Sequence, residues 1–409
     1  MKPFGARFRL RLPALPVRAA IIVGLAVALP SATAKFAPRE SRDIAGTEAL
    51  LQQAIEEITR QRFDTALVHI DSLLRQQPNF RLAHLIRGDL LLARVKPISA
   101  MGAAPGASGE RVEDLREEAI ARLRALKERP SDERVPRYLT QMAPEQKYAV
   151  VVDTSRSRLY FYRNDGGKPR LVTDYYVSSG KAGAQKQREG DQKTPIGVYH
   201  VTSVMPKAKL TDFYGSGAFP ISYPNEWDRR VGRNGHGIWL HGTPSNTYSR
   251  PPRASDGCVV LSNTDLEALG TNLQIGLTPV IISQDVQWTS ASELSSERKD
   301  FLAALDKWRA DWESRDTDRY LSNYSRKFTS AGETYDSWMR QKRRVNEGKS
   351  WVKVQLANVS AFRDPGEKAM MVVTFDQQYQ SSNLSNTMKK RQYWVNEDGR
   401  WRIIYEGAA

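Results

Sequence analysis

The stretch GHGIWLHGTPSNTYSRPPRASDGCVVLSN, residues 235–263, contains the only cysteine of the 409-residue chain and two of its five histidines. A nucleophilic cysteine needs a base that accepts its proton, a group that orients this base, and donors for the oxyanion. His241 ends a short run of alternating apolar residues, which predicts a strand with this histidine at the mouth of a cleft. We therefore interpret Cys258 as a candidate nucleophile and His241 as its candidate general base.

The residues close to this pair have their own predicted roles. His236 stands at an odd spacing from His241, which would place the two side chains on opposite faces of one strand. We interpret His236 as shaping its loop, with a substrate contact as the alternative. Gly257 allows a sharp turn before Cys258, so the amides of both residues are candidate oxyanion donors. No third ligand stands at usable spacing, so no metal site is predicted.

The sequence around this stretch has a strand-like period. The runs YAVVVDTSRSRLYFYR, RLVTDYYVSS, GVYHVTSV, GIWLHG and TPVIIS are apolar or alternating, and glycine and proline separate them. Such runs are typical of strands. They predict a mostly β domain over residues 147–284.

The combination of HG, a loop, and S-x-G-C, with GDQKTPIGVYHV upstream at residues 190–201, resembles the L,D-transpeptidase catalytic domain of the YkuD type. In that family, a cysteine attacks the carbonyl between an L-centre and a D-residue of a peptidoglycan stem peptide. The resemblance implies Cys258 as nucleophile, His241 as base and the Gly242 carbonyl as the group beside the histidine. It places Ser255 in the nucleophile loop and implies no cofactor.

Two positions depart from the family pattern. Asp256 and Val260 stand where relatives commonly have histidine and often arginine or asparagine. The absent cation normally helps to hold substrate, and Arg233, Arg250 or Arg253 are candidates to replace it, with a solvated face as the alternative. A carboxylate beside the thiol would oppose thiolate formation. We therefore expect Asp256 to face solvent or an arginine, with a substrate contact as the alternative.

The first 34 residues have a basic start, an apolar run at residues 19–29 and the small residues Ala32-Thr33-Ala34. This pattern predicts a cleavable secretory signal and a periplasmic protein, with a short uncleaved anchor as the alternative. The net charge of +15 includes five positive charges in this segment. A basic exported chain suits an anionic wall polymer or lipid surface, and no nucleic-acid motif is present.

Residues 35–146 are predicted to be a helical region followed by a linker. Residues 61–94 resemble one tetratricopeptide repeat, which cannot bury its own apolar face. Partner helices are expected from residues 45–60, from residues 111–128 or from another subunit, so a homodimer through this region is one prediction. A plain hairpin packed on the next domain and a peptide-binding module are the alternatives.

Residues 292–409 are predicted to be an α+β domain. An apolar stripe of Phe301, Leu305, Trp308 and Trp312 predicts a helix, and strand-like runs follow it. Seven of the nine tryptophans lie from Trp288 onward, which favours an aromatic core over an aromatic-lined pocket. WRADWESRDTDRYLSNYSRKF resembles the opening helices of the NTF2-like fold, whose pocket could take a muropeptide or protein ligand or only stiffen the enzyme.

The whole layout resembles the cell-shape L,D-carboxypeptidases, which join a helical N-terminal part, this catalytic domain and an NTF2-like domain. The predicted fold class is therefore multidomain. The predicted function is a periplasmic cysteine-dependent enzyme that acts on peptidoglycan stem peptides through a thioester. Its acceptor is open between an amine and water, and water would trim tetrapeptides to tripeptides. Cleavage of a wall-linked lipoprotein and a non-catalytic wall-binding scaffold are further alternatives.

Overall fold

The computed structural model describes residues 42–103, 109–131, 133–330, 333–367 and 369–409. The predicted secretory signal, residues 1–34, lies outside the described residues. Within the described ranges, no helix combines the length and apolar character that crossing a membrane requires.

Among the described residues, the helical region contains four helices around a shared apolar core. They are Arg42–Thr59, Phe63–Gln76, Arg81–Ala93 and Gly109–Lys127. Leu51 and Ala54 of the first helix and Ala119 of the last join this core, where Ile70 and Leu82 are fully buried. The chain itself therefore supplies helices that cover the predicted repeat-like hairpin, because residues from both expected segments pack on it. Homodimerisation stays a prediction.

A five-stranded sheet forms the centre of the predicted mostly β domain. Its strands, in spatial order, are Lys168–Tyr176, Arg158–Asp165, Tyr148–Asp153, Pro279–Ser283 and Gly197–His200. Only the pair Tyr148–Asp153 and Pro279–Ser283 is parallel among these neighbours. The run of valines from Val150 to Val152 is fully buried, as expected for a strand that is covered on both faces.

A second, four-stranded sheet packs on one face of the first. Its strands, in spatial order, are Val259–Val260, Trp239–His241, Gly217–Pro220 and Met205–Pro206. The helix Asn263–Gly270 follows the first of these strands, and a short parallel pair joins Arg253–Ser255 to Ser179–Gly180. Val150 and Leu159 of the large sheet share a core with Leu240 and Val259 of the small one. This core fixes the strands that carry the candidate site.

The C-terminal domain is a six-stranded sheet with helices packed on it. Its strands, in spatial order, are Glu333–Thr334, Tyr324–Ser330, Arg400–Ala408, Leu384–Glu397, Met370–Ser381 and Val352–Arg363. Its helices are Ala291–Glu313, Thr317–Ser322 and Tyr335–Glu347. Trp308 and Trp394 are fully buried between the helices and the sheet, so most of the aromatic side chains form a core, as predicted.

The C-terminal sheet covers the other face of the five-stranded sheet. Val151 and Ile281 share a core with Phe362 and Tyr393 of the C-terminal domain. The linker strand Arg134–Pro136 pairs with Trp288–Ser290, the strand that precedes this domain. The predicted multidomain fold class, with helical, mostly β and α+β parts in that order, is confirmed.

Candidate active site

The strands of the small sheet bring His241 and Cys258 to one face. Trp239–His241 and Val259–Val260 run parallel, with Val260 opposite His241 and Val259 opposite Leu240. Side chains alternate along a strand and paired residues point to the same side. Leu240 and Val259 therefore point into the core between the sheets, whereas His241 and Cys258 share the opposite face.

His241 is held in a single orientation. Its Nδ1 lies 2.7 Å from the carbonyl oxygen of Gly242, so Nδ1 carries the proton and Nε2 is left with a free lone pair. The ring packs against the aromatic rings of Phe213 and Tyr214. Burial lowers the pKa of His241 to about 4, and the imidazole is therefore neutral at neutral pH. A neutral imidazole with a free Nε2 is able to accept a proton.

The turn after His241 is fixed by Asn263, a residue that the sequence motifs did not identify. Its Nδ2 donates to the carbonyl oxygen of Thr243 at 2.8 Å, and its Oδ1 accepts from the N–H of Ser216 at 2.8 Å. A Cβ at Gly242 would collide with this Oδ1. A glycine is thus required at position 242, because the side-chain amide of Asn263 occupies the space that a Cβ of residue 242 would need.

Cys258 is partly exposed and carries a protonated thiol. Its Sγ donates to the carbonyl oxygen of Gly237 at 3.3 Å. Burial raises the pKa of the Cys258 thiol to about 11, although the backbone N–H of Trp239 and the charge of Arg250 act in the opposite direction. The site therefore combines a neutral thiol with a neutral imidazole, so a nucleophilic role of Cys258 would require the thiol to lose its proton during the attack.

The turn before Cys258 depends on Gly257 and Ser255. Gly257 has a φ of 127°, and a Cβ there would lie 2.7 Å from the carbonyl oxygen of Lys193. Ser255 Oγ donates to the carbonyl oxygen of Cys258 at 2.6 Å and accepts from the N–H of Gly257 at 3.1 Å. The predicted oxyanion role of the Gly257 amide therefore needs correction, since this N–H already donates to Ser255. The N–H of Cys258, the other amide that the sequence predicted as an oxyanion donor, stays a candidate.

Thr194 also holds this turn. Its Oγ1 donates to the carbonyl oxygen of Gly257 at 3.0 Å and accepts from the N–H of Gly180 at 2.9 Å. Thr194 lies within GDQKTPIGVYHV, the upstream motif of the family. The motif could therefore have indicated this residue, although no role was predicted for it. The upstream motif thus supports the turn before Cys258 through a threonine.

Of the three candidate arginines, Arg250 is the one whose charge acts on the thiol. Its guanidinium lies over the Phe213 ring, 4.5 Å from the centroid, and Nη2 donates to the Phe213 carbonyl oxygen at 3.3 Å. The same charge lowers the pKa of Cys258 and of His241. Arg250 therefore supplies a cation close to the pair, although the family position at Val260 is apolar and buried.

The other two candidate arginines are paired elsewhere. Arg233 donates to Asp228 at 3.2 Å and to Glu367 of the C-terminal domain at 2.9 Å. Arg253 pairs with Glu117 of the helical region at 3.1 Å. Both side chains thus connect the catalytic domain to its neighbours, and their candidate role in holding substrate stays a prediction.

The remaining candidate residues lie at the exposed rim. Asp256 is exposed and accepts hydrogen bonds from Lys181 Nζ and Gln192 Nε2, both at 3.1 Å. It therefore faces solvent, as expected, with a lysine as its ion-pair partner. His236 lies outside the strand, with Nδ1 3.4 Å from Glu189 Oε1, and its side chain is exposed. The charge of Asp256 raises the pKa of the Cys258 thiol, as expected for a carboxylate close to it.

Among the described residues, no group of three or more histidine, cysteine, aspartate or glutamate side chains is arranged to hold a metal ion.

Two family models match the chain. Residues 147–282 match the L,D-transpeptidase catalytic domain, and residues 300–407 match the Cds6 C-terminal NTF2-like domain. The resemblance inferred from the HG and S-x-G-C motifs is confirmed by the first match. The resemblance inferred from the spaced aromatic residues is confirmed by the second. No curated protein sequence matches the chain.

Solved structures resemble the fold of this chain. Bd1075 of Bdellovibrio bacteriovorus is 28% identical, with a TM-score of 0.60 over 68% of this chain and 98% of that one. Pgp2 of Campylobacter jejuni, described as a helical cell shape determining protein, is 24% identical. Its TM-score is 0.57 over 69% of this chain and 97% of that one, and this likeness shows the fold.

Proposed function

We propose that this chain, whose residues 147–282 belong to the L,D-transpeptidase catalytic domain family, is a periplasmic cysteine enzyme that acts on peptidoglycan stem peptides. The observation that carries the proposal is the pair of strands that places Cys258 and His241 on one face, with Nδ1 of the histidine bound to the Gly242 carbonyl. A thiol, a base and a group that orients the base are the parts that nucleophilic catalysis requires.

In the first step, Cys258 Sγ attacks the carbonyl carbon that follows the L-centre of the stem peptide, and the thiol proton passes to His241 Nε2. The carbonyl oxygen becomes an oxyanion, for which the Cys258 N–H is the candidate donor. The C–N bond then breaks, and His241 returns the proton to the departing amine of the D-residue. The product is a thioester between the stem peptide and Cys258.

In the second step, an acceptor attacks the thioester carbonyl and gives a proton to His241. The C–S bond breaks, and the leaving sulfur regains its proton from the imidazolium. Water as the acceptor yields a stem peptide that is shorter by one residue, whereas an amine yields a crosslink or an exchanged terminal residue. Both outcomes use the same intermediate.

Two features of the site favour water as the acceptor. Val260 is buried opposite His241, so it offers no polar group at a position where relatives often have one. Asp256 is turned toward Lys181 and Gln192 at the exposed rim. The layout of a helical part, this catalytic domain and an NTF2-like domain resembles that of the cell-shape L,D-carboxypeptidases, so we propose L,D-carboxypeptidase activity ahead of transpeptidation.

The deciding experiment incubates the purified protein with disaccharide tetrapeptide muropeptides, with and without an added D-amino acid, and identifies the products by mass spectrometry. Tripeptide in both samples supports trimming, and a mass shift that requires the D-amino acid supports transfer. Cys258→Ala serves as the matched inactive control. If the wild-type protein and Cys258→Ala give identical product spectra, the proposal is wrong and a wall-binding scaffold becomes the better account.

The cellular location is part of the proposal and has its own test. The basic, apolar and small-residue segments within residues 1–34 predict removal after Ala34. Mass spectrometry of the native protein from a periplasmic fraction should find the chain beginning at Lys35. Recovery of the uncut chain from the membrane fraction would instead indicate the uncleaved anchor.

A further inference from the structure

The segment between the His241 strand and the Cys258 turn, residues 242–252, is called the connecting loop here. It carries Arg250, whose guanidinium lies over Phe213 beside the histidine. The outer side of this loop is covered by the helical region. The contacts between the two bear directly on the position of Arg250.

One set of contacts joins Asn79, at the turn between two helices, to the connecting loop. Asn79 Nδ2 donates to the carbonyl oxygen of Ser245 at 2.8 Å, and the N–H of Tyr248 donates to the carbonyl oxygen of Asn79 at 3.2 Å. The Tyr248 ring lies 4.5 Å from the Phe80 ring and is buried in the helical core. The connecting loop is therefore packed as part of the helical region.

A second set of contacts centres on Arg122 of the helix Gly109–Lys127. Arg122 is 3% exposed, and its guanidinium donates to Glu118 at 2.8 Å and to Glu48 of the first helix. Glu118 also accepts a hydrogen bond from Ser249 Oγ of the connecting loop at 2.6 Å. This buried charge cluster thus joins two helices and the residue that precedes Arg250.

The third contact leads from Arg122 to Arg250 itself. The Arg122 guanidinium lies 3.9 Å from the centroid of the Tyr176 ring, and the Tyr176 hydroxyl donates to the carbonyl oxygen of Arg250 at 2.9 Å. Tyr176 is 4% exposed, so its ring cannot shift without disturbing its neighbours. Arg122 and Arg250 are therefore linked through a single buried side chain.

We propose that Arg122 is a positioning residue of the active site, which acts through Tyr176 and Glu118 to hold Arg250 beside Cys258. The helical region is then a part of the catalytic apparatus, in addition to any role in binding or assembly. The proposal rests on the proposed function only where turnover is concerned. Its effect on the thiol itself does not depend on which substrate the enzyme takes.

Arg250 is well placed to transmit such an effect. Its charge lowers the pKa of the Cys258 thiol, so a displaced Arg250 leaves a smaller fraction of thiolate at a given pH. A role of Arg122 confined to stability would change unfolding and leave the thiolate fraction of the folded protein unchanged. Thiol reactivity therefore separates positioning from stabilisation.

The primary test is Tyr176→Phe in the full chain, which keeps the ring under Arg122 and removes its hydrogen bond to the Arg250 carbonyl. The rate of Cys258 alkylation by iodoacetamide is measured from neutral to alkaline pH. We expect Tyr176→Phe to slow alkylation by about twofold to tenfold at neutral pH. This range corresponds to the net free energy of one hydrogen bond. We also expect its apparent thiol pKa to rise.

The Arg250→Ala background makes the test specific. Arg250→Ala alone should slow alkylation, and adding Tyr176→Phe to it should have no further effect, because the residue being positioned is gone. Arg122→Lys, which keeps the charge but loses the planar group over Tyr176, should behave like Tyr176→Phe. Arg87→Gln removes an exposed ion pair of the same helical region with Asp71 and serves as the control with wild-type reactivity.

Two results would overturn the proposal. One is an alkylation profile of Tyr176→Phe that matches wild type, and the other is an equal slowing by Tyr176→Phe with and without Arg250. If Arg122→Lys fails to fold, the Tyr176 variants still decide. Failure of the proposed function would appear differently. Tyr176→Phe and Arg122→Lys would still change thiol reactivity as expected, but the wild-type protein would not process muropeptides.

Discussion

Val260 lies directly opposite His241 in the parallel strand pair of the small sheet, with only 2% of its surface exposed. A charged side chain at this position would have to be buried beside a neutral imidazole, which is costly without a partner. The cation near the thiol comes instead from Arg250, on the connecting loop. The site thus has an apolar residue at position 260, and its cation comes from Arg250 at a different position in the chain.

His241→Gln should lower kcat by about 100- to 10,000-fold, because the side chain that accepts the thiol proton is lost. Binding of substrate does not require this proton transfer, so KM should change much less. Steady-state kinetics on muropeptides measure both parameters. His69→Gln, a substitution on the helix Phe63–Gln76, serves as the histidine control and should match wild type. A His241 variant with wild-type kcat would exclude the histidine as base.

The pH dependence of kcat/KM should show a broad plateau. The His241 pKa lies at about 4 and the Cys258 pKa at about 11, so between them the free enzyme keeps a neutral base and a neutral thiol. Activity should fall below the lower value, because a protonated imidazole cannot accept the thiol proton. Measurement of kcat/KM from about pH 4 to about pH 11 tests whether the plateau exists. A narrow bell centred near neutral pH would indicate a resting thiolate–imidazolium pair instead.

Gly257→Ala should destabilise the protein and inactivate it. The φ of 127° is open almost only to glycine, and the new Cβ would lie 2.7 Å from the Lys193 carbonyl oxygen and 3.1 Å from Ile238. We expect a loss of about 1–3 kcal/mol from the backbone conformation alone, with the steric overlap added to it. Denaturant unfolding measures the loss.

Gly232→Ala is the matched control for this substitution. Gly232 also has a positive φ, of 81°, but a Cβ there meets nothing within 4 Å. Its cost should therefore be confined to the backbone conformation, about 1–2 kcal/mol, with activity retained. Equal losses of stability in both variants would show that the Lys193 carbonyl does not restrict the turn.

The sequence was informative where local pattern and chemistry coincide. The apolar run Tyr148–Asp153 and the motif around His241 predicted strands because neighbouring residues alone set their period. Asp398-Gly399, a dipeptide typical of hairpin turns, likewise has a positive φ at both residues and lies between the last two strands. In each case, the deciding residues are close in sequence.

The contacts that complete the site could not be predicted in the same way. Asn263 reaches Ser216 and Thr243, and Arg250 depends on Tyr176 and Arg122, all of which are distant in sequence. Three candidate arginines looked equivalent because each stands near the motif in the chain. Their pairing partners lie in three different parts of the fold, and only tertiary structure separates them. The same holds for the strand Tyr324–Ser330, whose polar sequence is stabilised by pairing with Arg400–Ala408.

Arg233→Gln should affect stability much more than substrate binding. The guanidinium bonds to Asp228, which is 1% exposed, and to Glu367 of the C-terminal domain. Loss of its hydrogen bonds to a charged partner should cost about 1.5–3 kcal/mol in unfolding free energy, with KM unchanged. The cost should shrink at acidic pH, because burial raises the pKa of Asp228 and the protonated acid no longer needs a cation.

Glu367→Gln separates the two bonds of Arg233, since it changes only the more exposed partner. Its cost should stay at about 0–1 kcal/mol, as for surface ion pairs, because Arg233 keeps its bond to Asp228. Denaturant unfolding and muropeptide kinetics on both variants give the comparison. A raised KM for Arg233→Gln with wild-type stability would instead return this arginine to the substrate-binding role that its place in the sequence suggested.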